Sequence, residues 1–113
     1  MVKRVILLFM PAIIWANIVC KIEQQRIICT YFIDRSDNAN GLTVEFHWYS
    51  PKGSDDRIKI FKVPPYHGSV YDYRFLPGRQ QGHWKVVAKE IETNKSAFTV
   101  FEINSSDEEF FAD

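Results

Sequence analysis

The sequence predicts an all-β protein, an antiparallel immunoglobulin-like β-sandwich of six or seven strands. Three observations predict it. Apolar and polar residues alternate through several runs, best at Leu42-Thr43-Val44-Glu45-Phe46-His47-Trp48-Tyr49 and Gly82-His83-Trp84-Lys85-Val86-Val87-Ala88. Alternation of this kind puts every second side chain on one face of a strand. Turn-forming residues punctuate the runs at a spacing of roughly 10–14 residues, as in sandwich domains. Beyond the first sixteen residues, no stretch of ten or more has helical periodicity.

The first segment reads as a leader. Lys3 and Arg4 precede an uncharged apolar run over residues 5–15, broken only by Pro11, and Ala16 supplies a small residue for cleavage. The run is shorter than the roughly 20 residues a membrane-spanning helix needs. Residues 1–16 are therefore expected to be a signal peptide or, failing cleavage, a membrane anchor. A buried first element of the domain is the competing reading. Export predicts a periplasmic or secreted protein, with no other membrane contact. Removal of Lys3 and Arg4 makes the 14 basic residues two fewer than the 14 acidic ones.

Cys20 and Cys29 are the next feature. A tight hairpin over Gln24-Gln25 sets them directly opposite each other, where cross-strand Cβ atoms lie about 4.5–5.5 Å apart. That spacing is near what a disulfide requires, and an oxidising compartment permits the bond. Two buried free thiols fit equally well, because two-residue hairpins favour Asn or Gly at positive φ and Gln-Gln supplies neither.

Residues 26–33 are rich in β-formers. Residues 34–41, ending Asp-Asn-Ala-Asn-Gly, have loop chemistry. Leu42, Val44, Phe46 and Trp48 then share one face of the third strand. Pro51-Lys52-Gly53-Ser54 is a turn. The run Ile58-Lys59-Ile60-Phe61-Lys62-Val63 changes phase midway, which predicts a bulge or twist at Ile60-Phe61. Pro64-Pro65 ends it. Residues 69–76 form a strand with Tyr71, Tyr73 and Phe75 on one side. Pro77-Gly78 closes that strand and Gly82 opens the next. Trp84, Val86 and Ala88 share a face, Thr93-Asn94-Lys95 is a turn, and residues 97–103 alternate again. This last hairpin is expected to carry the bulk of the core. One domain spans residues 17–103. Residues 104–113 hold four acidic and no basic residues and read as a loose tail.

Composition narrows function. The 113 residues make one domain, and 46% apolar content suffices for a core. A formal net charge of zero, with no basic stripe, gives no footprint for nucleic acid. No cofactor motif is present.

Candidate chemistry is sparse. His47, His67 and His83 form a metal site or a small active centre only if the fold gathers them. Cys29 and His47 are conceivable as a nucleophile and base on adjacent strands, although a buried thiol is the simpler account. Asp34, Asp37, Asp55 and Asp56 match no calcium-loop spacing, and Ser36 and Ser50 have no base nearby in sequence. The aromatic residues say more. Tyr66, Tyr71, Tyr73 and either Trp48 or Tyr49 exceed what one small core takes easily, and Arg74 and Arg79 are close in sequence. Tyr, Trp and Arg concentrate binding energy at protein interfaces. Tyr49, Tyr66, Tyr71, Tyr73 and Arg74 are thus the candidate binding surface, used through side chains or strand addition. Packing of these rings within the fold is the plainer alternative.

The order Cys29-Thr30-Tyr31-Phe32, Val44-Glu45-Phe46-His47-Trp48-Tyr49, Gly82-His83-Trp84-Lys85-Val86-Val87 and Phe98-Thr99-Val100 resembles an uncharacterised family of bacterial secreted or envelope β domains with a Gly-x-Trp-x-Val strand. The likeness covers about residues 18–103. It departs where that family has an Arg- and Trp-rich strand and this chain has Val70-Tyr71-Asp72-Tyr73-Arg74-Phe75. The resemblance implies a β fold and export, with no activity attached. Two functions follow as expectations. One is a non-catalytic extracytoplasmic binding or structural module acting through a protein partner. The other is a small metal protein or enzyme using His47, His67 and His83.

Overall fold

The computed structural model describes residues 17–34 and 40–104. The expected leader, the tail from residue 105 onward, Ser36 and Asp37 lie outside the described residues. Seven antiparallel strands form a β-sandwich: β1 (Ile18–Glu23), β2 (Arg26–Phe32), β3 (Leu42–Tyr49), β4 (Arg57–Val63), β5 (Ser69–Phe75), β6 (Gly82–Glu90) and β7 (Ser96–Ile103). One sheet has the order β1-β2-β5 and the other β4-β3-β6-β7.

The chain begins with a hairpin. Gln24 and Gln25 take φ values of 54° and 64°, so the two-residue turn forms with glutamine in left-handed conformations. The right-handed twist of the flanking strands favours this turn geometry, and pairing on both sides outweighs the local cost of about 1–2 kcal/mol per residue. Glu23 pairs with Arg26 next to the turn, and Cys20 falls opposite Cys29. Counting outward, this is a non-hydrogen-bonded position, where facing residues approach closest. The Cα atoms are 4.0 Å apart and the two sulfurs are bonded. The disulfide thus follows from turn length and pleat.

Alternation places the core as expected on three strands. Val44, Phe46, Trp48, Trp84, Val86 and Ala88 are buried, and Ile27, Cys29 and Tyr31 face them from the other sheet. The Trp84 ring stacks on Phe101 at 6.2 Å, and Trp48 meets both edge-on at 6.4 and 6.5 Å. Buried Tyr31 crosses between sheets and donates its hydroxyl to Glu90 at 2.5 Å. Thr93 donates to the other Glu90 oxygen at 2.6 Å, so this buried carboxylate is doubly hydrogen-bonded.

β4 departs from expectation. Its pairing with β3 runs from Leu42 opposite Val63 to Trp48 opposite Arg57 without an extra residue, so Ile60-Phe61 contains no bulge. Ile58 and Ile60 simply face outward, while Arg57, Lys59, Phe61 and Val63 occupy the inward phase. An edge strand tolerates this because only part of its inner face is covered by the opposite sheet.

Gly82 has φ 129°, and a Cβ there would sit 3.0 Å from the Pro51 ring. The entry to β6 therefore needs glycine for both conformation and clearance.

Candidate functional site

Strand β5 organises the site because its two faces are used in an unusual way. Val70, Asp72 and Arg74 point inward, with Asp72 and Arg74 buried. Tyr71, Tyr73 and Phe75 point outward and are exposed. The charged residues thus sit beneath the sheet and the rings lie on top.

The inward pair belongs to a polar cluster at one end of the core. Trp48 donates its indole N–H to Asp72 Oδ2 at 2.8 Å. The Arg57 guanidinium, reaching across from β4, donates to Asp72 Oδ1 at 2.6 Å and to the Tyr73 carbonyl at 3.0 Å. Arg74 donates to the Asp55 carboxylate at 2.9 Å and to its carbonyl at 2.8 Å. Its guanidinium carbon lies 5.7 Å from the ring centres of both Trp48 and Trp84. Arg79 pairs with Asp55 at 3.3 Å. Burial first, and then the Arg79 charge, pull Arg74 below the ordinary arginine range. Stacking on two indoles and pairing with Asp55 hold the cation there.

Arg74 consequently leaves the expected binding surface: only 8% of it is exposed, and it serves the interior. Trp48 is buried and its neighbour Tyr49 exposed, so Tyr49 is the outward ring of that pair. Tyr49 stacks on His47, on the outer face of the four-stranded sheet and far from β5. Tyr66 projects from the turn between β4 and β5, with φ 70° behind Pro65 and a bond from His67 N–H to the Pro64 carbonyl. Of the five candidates, the structure joins only Tyr71 and Tyr73 on one face.

Residues that sequence reasoning had not grouped complete that face. Thr30 lies opposite both Tyr71 and Val19, Ile28 opposite Tyr73, Arg26 opposite Phe75, and Phe32 opposite Ser69. Val19, Phe32, Tyr71, Tyr73 and Phe75 are all exposed. Tyr73 packs edge-on against Phe75 at 5.7 Å, and Arg26 sits 5.1 Å over the Tyr73 ring. The sequence had already placed Phe75 with Tyr71 and Tyr73, whereas Val19 and Phe32 join them only through the register of β1 and β5 on β2.

Between the free edges of β4 and β5 lies a groove of about 700 Å³. Phe61, Val63, Tyr71 and Tyr73 contribute its apolar wall. Arg57, Lys59, Lys62, Arg74 and Arg79 make it cationic, with Asp72 the acidic residue among its lining. Arg57 spans it at one end.

The three histidines are not brought together. His47 and His83 lie on the outer face of the four-stranded sheet, but His47 pairs with Val87, four residues along β6 from His83, or about 13 Å. His67 is in the β4–β5 turn. Among the described residues, no group of three or more His, Cys, Asp or Glu side chains is disposed to hold a metal ion. Cys29 is disulfide-bonded and belongs to the sheet opposite His47. Asp55 and Asp56 serve Arg74 and the Ser50 turn.

No family model, curated protein or solved structure matches the chain.

Proposed function

We propose that this protein is a non-catalytic binding module that works outside the cytoplasm and docks a protein partner on the outer face of β1-β2-β5. The observation that carries this reading is the set of five exposed large side chains, Val19, Phe32, Tyr71, Tyr73 and Phe75, on that one face. Contiguous apolar patches on monomers are usually small, and larger ones mark interaction surfaces. Tyrosine suits the role because its ring offers apolar area and its hydroxyl tolerates water. The Cys20–Cys29 disulfide and the leader read from residues 1–16 support an oxidising, exported setting.

We also read the sandwich as immunoglobulin-like. The first, second and fifth strands share one sheet, and the fourth flanks the third, sixth and seventh in the other. The buried Trp48 on the third strand is where such domains place their core tryptophan.

A photo-cross-linking residue placed at Tyr73 in native cells tests the docking face. The expected result is one discrete adduct, absent when Phe75→Glu is added and absent from a cross-linker at Ile58 on the opposite outer face. No adduct from Tyr73, or equal adducts from both positions, would overturn the reading.

A further inference from the structure

We propose that the groove between β4 and β5 accepts an extended, acidic segment of a partner protein, which adds as a strand to the free edge of β5. The inference rests on the binding-module reading but uses a different surface, the edge of the sheet and not its outer face.

The backbone supplies the first argument. Leu76 N–H donates to the Gln25 carbonyl and Ile33 N–H to the Gly68 carbonyl at the two ends of the β2–β5 ladder. Those bonds fix the alternation, so Val70, Asp72 and Arg74 carry the ladder bonds to β2. Ser69, Tyr71, Tyr73 and Phe75 therefore aim their N–H and C=O groups away from β2, into the groove. At Tyr73 both groups are already engaged by side chains: its N–H donates to Asp72 Oδ1 at 2.9 Å and its carbonyl accepts from Arg57. Before that crossing, at Ser69 and Tyr71, the edge is open to a strand. An unpaired edge of this kind is a template for main-chain pairing.

Charge supplies the second. Five cationic side chains line the groove against Asp72. Arg57, Arg74 and Arg79 outnumber Asp55 and Asp72 by one charge, and Lys59 and Lys62 add two more at exposed positions. A positive excess of this kind is complementary to a carboxylate, and arginine forks pair with carboxylates in preference to neutral groups. The apolar wall at Phe61, Val63 and Tyr71 lies beside these donors. An incoming strand that alternates acidic and apolar residues sets its carboxylates inward toward Arg57 and Lys59 and its apolar side chains outward beside Tyr71.

The test uses the full-length, disulfide-bonded protein and a fluorescent ten-residue peptide alternating Glu with Val and Phe, read by anisotropy. The peptide is expected to bind, and its Gln-for-Glu version to bind at least tenfold more weakly. Methylation of the peptide's alternate backbone nitrogens should abolish binding, because it removes the pairing donors. Lys59→Glu with Lys62→Glu, both at exposed positions, should weaken binding at least tenfold while circular dichroism stays unchanged. Equal binding of the acidic and neutral peptides, full binding of the methylated peptide, or no binding at all would overturn the site. The Phe75→Glu cross-linking result is read separately, so a lost adduct there without peptide binding sinks the groove and spares the module.

Discussion

Trp48 shows how much one side chain settles. Its ring fills the core and its N–H needs an acceptor, which Asp72 supplies from the opposite sheet. Asp72 is in turn charge-paired with Arg57. Asp72→Ala would leave the indole N–H and a partly buried guanidinium without their acceptor, and it should cost about 3–5 kcal/mol. Trp84→Ala should cost a similar amount, about 3–5 kcal/mol, by opening a cavity beside Trp48 and Phe101. Urea denaturation of both variants checks these values, and a loss under 1 kcal/mol in either would contradict the packing described. Tyr31 adds a pH signature. Burial first, then the hydrogen bond to Glu90 and its charge, push the phenol above its ordinary value. A raised folded value means its contribution is complete below about pH 10, where the unfolded phenol titrates, and is lost as pH rises beyond that. Tyr31→Phe should lower stability at pH 7 by about 1–3 kcal/mol, because Glu90 loses a donor. It should also lose less between pH 7 and pH 11 than the parent does. Denaturation midpoints at the two pH values measure both effects.

Among the elements, the β1–β2 hairpin combines an imperfect turn with a covalent tie. The disulfide closes a short loop of sequence separation 9, for which chain entropy gives about 2–3 kcal/mol. Reduction, or Cys20→Ala with Cys29→Ala, should therefore lower Tm by about 10 °C or more in a domain of this size. Calorimetry with and without reductant is the measurement. Gln24, left-handed at φ 54°, sits where asparagine is preferred. Gln24→Asn should raise Tm slightly, and a fall would mean the turn is held in some other way. β5 is the counterpart at the other sheet edge: its ladder faces β2, its carboxylate and guanidinium face the core, and its rings face solvent.

At the scale of the whole molecule, Tyr31–Glu90, Trp48–Asp72 and Arg57–Tyr73 all cross from one sheet to the other. Unfolding should accordingly be one transition, with tryptophan fluorescence and far-ultraviolet circular dichroism coinciding. Two loop carboxylates contribute to its acid limb. The Ser50 backbone N–H and then its hydroxyl hold Asp56 below the usual carboxylate range, and Thr43 does the same for Glu92 through the same two groups. Depressed folded values stabilise the protein above about pH 4, and the contribution disappears as pH falls through them. Asp56→Asn with Glu92→Gln, which remove the titrating groups and keep the donors, should flatten the decline in Tm between pH 5 and pH 2. An unchanged slope would place the acid sensitivity elsewhere.

The pleat makes strands legible in a linear chain, because its period of two is local. Leu42, Val44, Phe46 and Trp48 announced a shared face, and Cys20 and Cys29 announced their register once the turn length was counted. Tyr71, Tyr73 and Phe75 announced a shared face too, but not its direction. Which side of a strand meets the core depends on what the opposite sheet offers, and that is a long-range fact. Here the partners of Asp72 and Arg74 are Trp48, Arg57 and Asp55, drawn from other strands and loops, so the acidic and basic residues turned inward and the rings outward. The same reason explains β4, whose phase change looked like a bulge and proved to be an unbroken edge strand with Ile58 and Ile60 outside. The groove had no signature in the chain at all, since it is the space between two edges that only the packing of the sheets sets side by side.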